Sequence, residues 1–137
     1  METLTILGFD PGRDKCGIAI ANRQQTIYHQ VIDSEQAIAT LEQLNAQYRV
    51  DLIVMGDGTT STAWQQQIES NLKDITVVRV NESNSTLEAR DRYWSFYPPQ
   101  GLQRIIPQSL RIPSRPVDDI VAIILIERYL NQLTTNH

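Results

Sequence analysis

Four acidic positions stand where apolar runs end or a helix begins: Asp10 in Gly8-Phe9-Asp10-Pro11-Gly12, Asp57 in Val54-Met55-Gly56-Asp57-Gly58, Glu82 in Val78-Arg79-Val80-Asn81-Glu82-Ser83, and the pair Asp118-Asp119. Carboxylates gathered from strand ends and a helix start are the oxygen ligands a hard divalent cation takes, and magnesium keeps several waters for substrate. Each position also has a plain alternative. Asp10-Pro11-Gly12 taken singly is an ordinary turn, Asp57 between two glycines suits a turn as well, and Asp118 and Asp119 would face the positive end of any helix they open. Glu82 has no such local duty.

Elements must bring these acids together, and the periodicity supplies them. Leu4, Ile6 and Leu7 form a β-run that opens at Asp10 into a glycine-containing turn, and Gly17 to Ala21 and Thr26 to Ile32 read as two more strands joined by a turn at 22–25. Three strands so close together imply an antiparallel meander. Asp33 with Gln36 forms a possible capping box for a helix striped by Ala37, Ile38, Leu41, Leu44 and Tyr48. Strand Asp51 to Gly56, helix Ser61 to Leu72, strand Ile75 to Val80 and helix Ser85 to Trp94, with Ser85 as its cap, then alternate as parallel crossovers require. Phe96 to Pro116 holds all but one of the prolines and reads as a long loop. Pro116 suits the first turn of a final helix to about Leu133, whose Ile120–Ile126 stretch is apolar nearly all round and must be buried. The expected fold class is α/β: a mixed five-stranded sheet, three antiparallel strands then two crossover strands, flanked by helices in the order of the ribonuclease H-like fold.

The 137 residues, 41% of them hydrophobic, suit one domain, 1–137, with one core. No targeting segment or membrane-length apolar run is visible, so the expectation is a soluble, cytoplasmic protein with no membrane partner. Cys16 alone permits no internal disulfide and reads as a small buried residue. A net charge of −4 counts against a surface that grips phosphate everywhere. Locally the balance reverses: from Arg90 to Arg115 five arginines face one acid, Asp91, which could make a basic patch. Two histidines, His29 on a strand and His137 at the terminus, leave a Ser-His-Asp triad improbable.

The run Gly8-Phe9-Asp10-Pro11-Gly12-Arg13-Asp14-Lys15-Cys16-Gly17-Ile18-Ala19 resembles the opening motif of the YqgF (RuvX) family, relatives of the RuvC Holliday junction resolvases. Val80 to Arg90 is similar to that family's Asp-Glu-Arg-x-Thr-Thr-x-Glu-Ala segment, and Val117 through Tyr129-Leu130 is similar to its closing helix, which begins with a catalytic Asp. The resemblance implies a metal-dependent nuclease. Magnesium or manganese would be held by three carboxylates, and the substrate would be structured RNA or branched DNA; the family is linked to maturation of the 16S ribosomal RNA precursor. Carried over, the acids are Asp10, Glu82 and one of Asp118 and Asp119. Counting back from Tyr129-Leu130 favours Asp118, the Asp-x-x-Ala spacing to Ala122 favours Asp119, and the register stays open. Asp57 is a further metal candidate. The chain departs from the family at Asn81, where an acid is usual, at Asp57-Gly58, and in the length of the loop before the last helix.

Around such a centre, Lys15 could neutralise a phosphate, and Arg104, Arg111 and Arg115 could hold the nucleic-acid backbone, since guanidinium forks match phosphate geometry. Tyr93, Trp94, Phe96 and Tyr97 could stack unpaired bases or pack the core. Symmetric cutting of a junction would call for a homodimer. Two other classes compete: a non-catalytic binding module on the same fold, and a relative of actin-like ATPases, for which the chain is too short to hold the second nucleotide-closing domain.

Overall fold

The computed structural model describes residues 4–135; Met1 to Thr3, Asn136 and His137 lie outside the described residues. Strands β1 (Ile6–Asp10), β2 (Lys15–Ala21) and β3 (Thr26–Asp33) form the antiparallel meander. Helix α1 (Ala37–Tyr48), strand β4 (Leu52–Gly56), helix α2 (Ser61–Asn71) and strand β5 (Thr76–Val80) follow, then α3 (Ser85–Phe96) and α4 (Asp118–Thr135). The sheet order is β3-β2-β1-β4-β5, with β4 parallel to both β1 and β5. This is the expected α/β, ribonuclease H-like arrangement.

Side chains alternate across each strand, so the sheet has two differently built faces. Leu7, Phe9, Cys16, Ile18, Ile20, Ile53 and Met55 point toward α1 and α2 and pack with Leu41, Leu44 and Ile68. Ile6, Ala19, Ala21, Leu52, Val54 and Val80 point the other way, toward α3 and α4. This second face carries small residues where α4 crosses. A Cβ on Gly8 would lie 2.4 Å from the Ala122 carbonyl oxygen, and one on Gly17 would lie 1.8 Å from the Asp118 carbonyl oxygen. Without those glycines the helix backbone could not reach the sheet. Ile120 to Ile126 is buried throughout, each large aliphatic side chain contributing about 1.5–3 kcal/mol before ordering costs. No helix among the described residues is long and apolar enough to cross a membrane.

Local details depart from the sequence reading. Asp33 does not cap α1: it ends β3 and pairs with Lys15 across the strand, and a 3₁₀ turn over Ser34–Gln36 leads into the helix with no side-chain cap. Ser85 is the first helical residue of α3 rather than its cap, which is Asn84 in the left-handed region at φ 60°. Pro116 lies outside α4, which starts at Asp118. The long loop contains two 3₁₀ turns, Gly101–Ile105 and Gln108–Leu110.

Candidate active site

Asp10 ends β1 opposite Gly17 and shares its sheet face with Ile6 and Gly8, the face α4 covers. The turn that follows is tied down from outside. Ser34 Oγ donates to the Gly12 carbonyl at 2.8 Å, the Ser34 amide donates to the Asp14 carbonyl at 2.9 Å, and a Cβ on Gly12 would lie 2.1 Å from the Lys15 carbonyl oxygen. Because Gly17 admits the backbone of Asp118 itself, the first residue of α4 arrives beside the end of β1.

The Asp10 and Asp118 carboxyl groups stand close enough to hydrogen-bond when one of them is protonated. The Asp10 carboxyl is pushed up from 3.8 to about 8, first by burial, then by the charges of Asp118 and Glu82, and by the hydrogen bond to Asp118. Asp118 is also raised, chiefly by burial, although the bond from Asp10 works the other way. Like charges a few ångströms apart resist joint ionisation, so the pair holds one proton between its members.

Glu82 completes the group from beyond β5. Its carboxylate lies over two glycines: a Cβ on Gly56 would be 2.2 Å from Oε2, and one on Gly58 would be 2.3 Å from Oε1. Asp57, exposed, accepts the Glu82 amide at 3.3 Å. In this position Asp57 supports the Glu82 turn. Asn81 has a similar duty, accepting the Ser83 amide at 2.8 Å while its carbonyl accepts from Arg128 at 2.8 Å.

Asp118 and Asp119 have different surroundings. Asp119 is 3% exposed; its Oδ2 meets His29 Nδ1 at 2.6 Å and its Oδ1 accepts the Ile120 amide at 2.9 Å. His29, four residues before the end of β3, thereby fastens the start of α4 to the sheet, with its ring edge-on to Phe96 at 5.2 Å. The sequence reading assigned His29 no part at the site. Its partner lies 90 residues away, so no local pattern could have signalled it.

Three of the basic candidates have partners of their own. Lys15 is exposed and paired with Asp33. Arg111 lies over Trp94 at 5.4 Å and donates to the Ile106 carbonyl at 2.9 Å; Arg115 lies over Tyr97 at 4.4 Å. Arg104 is exposed on the first 3₁₀ turn.

The donor set suits a hard cation: three carboxylates of similar hardness, two of them sharing a proton that an ion would displace, and among the described residues no ion pair engages Asp10, Glu82 or Asp118. The set is not a finished cage. Among the described residues no three acidic, histidine or cysteine side chains already surround one point at ligand distance.

Two solved structures have the same fold: Thermus thermophilus RuvC, with TM-score 0.56 and 10% identity over 94% of this chain and 96% of that one, and T. thermophilus RuvC in complex with a Holliday junction substrate, with TM-score 0.55, 12% identity and the same coverage. No curated protein matches in sequence. The profile of RuvX, Holliday junction resolvase, matches residues 4–132 and so takes in β1, the β5–α3 turn and α4, the three places from which the acids come. By that match the chain belongs to the RuvX Holliday junction resolvase family.

Proposed function

We propose that this protein is a divalent-metal-dependent nuclease that hydrolyses phosphodiester bonds in structured nucleic acid, either branched DNA of the junction type or structured RNA such as the 16S ribosomal precursor. One observation carries the reading: at one end of the sheet Asp118 is seated against Gly17, the partner of Asp10, the Glu82 carboxylate lies over Gly56 and Gly58, and none of the three acids has a cationic partner among the described residues. Asp10, Asp118 and Glu82 would hold magnesium or manganese. When bound, the ion polarises the phosphoryl oxygen and stabilises charge on the attacking and leaving oxygens. Asp10, whose burial and acidic neighbours hold its proton to about pH 8, would give that proton up when an ion binds. The Glu82 carboxylate, resting over Gly56 and Gly58, has no side chain at those two positions in the way of its rotation. Asp119, held by His29, keeps Asp118 in register without itself turning to the acids.

The test is cleavage of a synthetic four-way DNA junction and of a ribosomal precursor RNA by the wild type and by Asp10→Asn, in magnesium, in manganese and in EDTA. The expected result is cutting of at least one substrate by wild type in metal alone. Cutting that persists in EDTA, or no cutting of either substrate, would overturn the proposal and favour the binding-module alternative.

A further inference from the structure

Between the C-terminal half of α3 and the segment that returns to α4 lies a cleft of about 280 Å³, lined by Tyr93, Trp94, Phe96, Tyr97, Gln103 and Arg115 among others. That is near the small end of ligand clefts. Its walls are of one chemical kind. Tyr93 meets Trp94 edge-on at 4.8 Å and Tyr97 at a tilt at 5.0 Å, and the Arg115 guanidinium sits over the Tyr97 ring at 4.4 Å; Arg111, outside the lining, sits over the Trp94 ring. Gln100 and Gln103 add amides that both donate and accept. No acid occurs from residue 92 to residue 117, in a chain whose net charge is −4. Aromatic faces, guanidinium planes, amides and a local absence of negative charge are the features with which proteins take up an unstacked nucleobase.

The cleft also adjoins the acids. Tyr93 Oη lies 3.2 Å from Ser114 Oγ, anchoring the segment four residues before Asp118. Arg115 is three residues before Asp118, a span of at most about 11 Å, which about three stacked nucleotides cover at 3.4 Å each. From the other side, Phe96 packs on His29, and His29 holds Asp119.

We infer that this cleft receives one unpaired nucleobase of the substrate strand, a few nucleotides from the phosphate to be cut, and that it makes the protein select nucleic acid with an unstacked base near that position. The inference rests on the nuclease reading above and adds the feature of the substrate that is recognised. Arg115 and Tyr97 form one wall as a stacked pair, and Gln103 meets the base edge.

The test measures binding without catalysis. Fluorescence anisotropy in EDTA compares a labelled duplex carrying one bulged adenine with the same duplex carrying an abasic bulge, for the wild type, Arg115→Ala and Tyr97→Leu. Arg115→Ala changes an exposed side chain, and Tyr97→Leu removes the ring beneath Arg115 while keeping an apolar side chain beside Tyr93. Wild type is expected to bind the adenine bulge about tenfold more tightly, a preference that falls to about twofold or less in both variants. Equal affinity of wild type for the two probes, or a preference that survives in both variants, would overturn the inference. Failure of the nuclease reading is separately visible: the adenine preference would remain while no substrate was cut in metal.

Discussion

The acid end of the sheet and the segment between α3 and α4 are built by opposite means. At the acid end, backbone meets backbone: Gly8 and Gly17 let α4 touch β1 and β2, and Gly56 and Gly58 leave space that the Glu82 carboxylate fills. Between α3 and α4, side chains carry the load. Arginines rest on rings, and Leu102, Ile105, Leu110 and Ile112 are each more than two-thirds exposed. The first design leaves the backbone little room to shift, and chemistry on a phosphate depends on such positioning. The second leaves contact surface available for something outside the chain.

Substitutions can break this contrast, and the largest effect belongs to the acids. Asp10→Asn is expected to lower cleavage about 10³-fold or more while making the metal-free protein more stable. The sign follows from proton binding. Folded Asp10 keeps its proton to about pH 8 whereas the unfolded side chain loses it near 3.8, so wild-type stability falls as pH rises through that window. The melting-temperature advantage of Asp10→Asn in EDTA should therefore widen from pH 5 to pH 8, and manganese should raise the wild-type melting temperature but not the variant's. A variant that melts below wild type at pH 8 would remove the shared proton from the account.

Next in size is Gly17→Ala. Its methyl group would collide with the Asp118 carbonyl, so displacement of the α4 start should cost about 1–3 kcal/mol in denaturant unfolding and about 100-fold in cleavage. The two neighbouring aspartates then separate cleanly. Asp118→Asn should match Asp10→Asn in lost cleavage. Asp119→Asn, which can still hydrogen-bond to His29 and the Ile120 amide, should keep activity within about tenfold, and His29→Ala should cost on the order of 1–3 kcal/mol by leaving a buried carboxylate without its partner. Equal losses in Asp118→Asn and Asp119→Asn would erase the distinction. The smallest effects lie outside the acid end. Leu102→Ser should stay within about 0.5 kcal/mol of wild type in denaturant unfolding, and Lys15→Ala, at an exposed pair, should leave the melting temperature unchanged.

How much of this could be read from the chain differs by residue. Asp10 could be singled out because it closes a strand with a strong apolar pattern and Glu82 because it follows one by two residues, and the last helix could be placed because Ile120–Ile126 is apolar on nearly every side. The choice between Asp118 and Asp119 was not legible. Adjacent positions on a helix differ by a rotation of about 100°, and what sets that rotation is the fit of α4 onto Gly8 and Gly17 together with His29 on a distant strand. The capping box at Asp33 failed for a related reason: Lys15 stands across the strand and takes the carboxylate that the local motif reserved for the helix. Arg111 and Arg115 were offered as groups that could hold a nucleic-acid backbone, and the structure adds that each lies over a ring, Trp94 or Tyr97. Sequence separation concealed that each arginine would find one.

The way α4 lies across β1 and β2 also sets a timetable for synthesis. Translation adds about 5–20 residues per second, and a domain folds as a unit. The roughly forty residues between the end of β5 and the start of α4 therefore occupy the ribosome for on the order of 2–8 seconds. During that interval the strand residues that α4 will cover lack their partner helix, and Asp10 has no Asp118 beside it. A nascent chain consequently cannot assemble its acid centre on the RNA-rich particle that is making it until α4 has emerged.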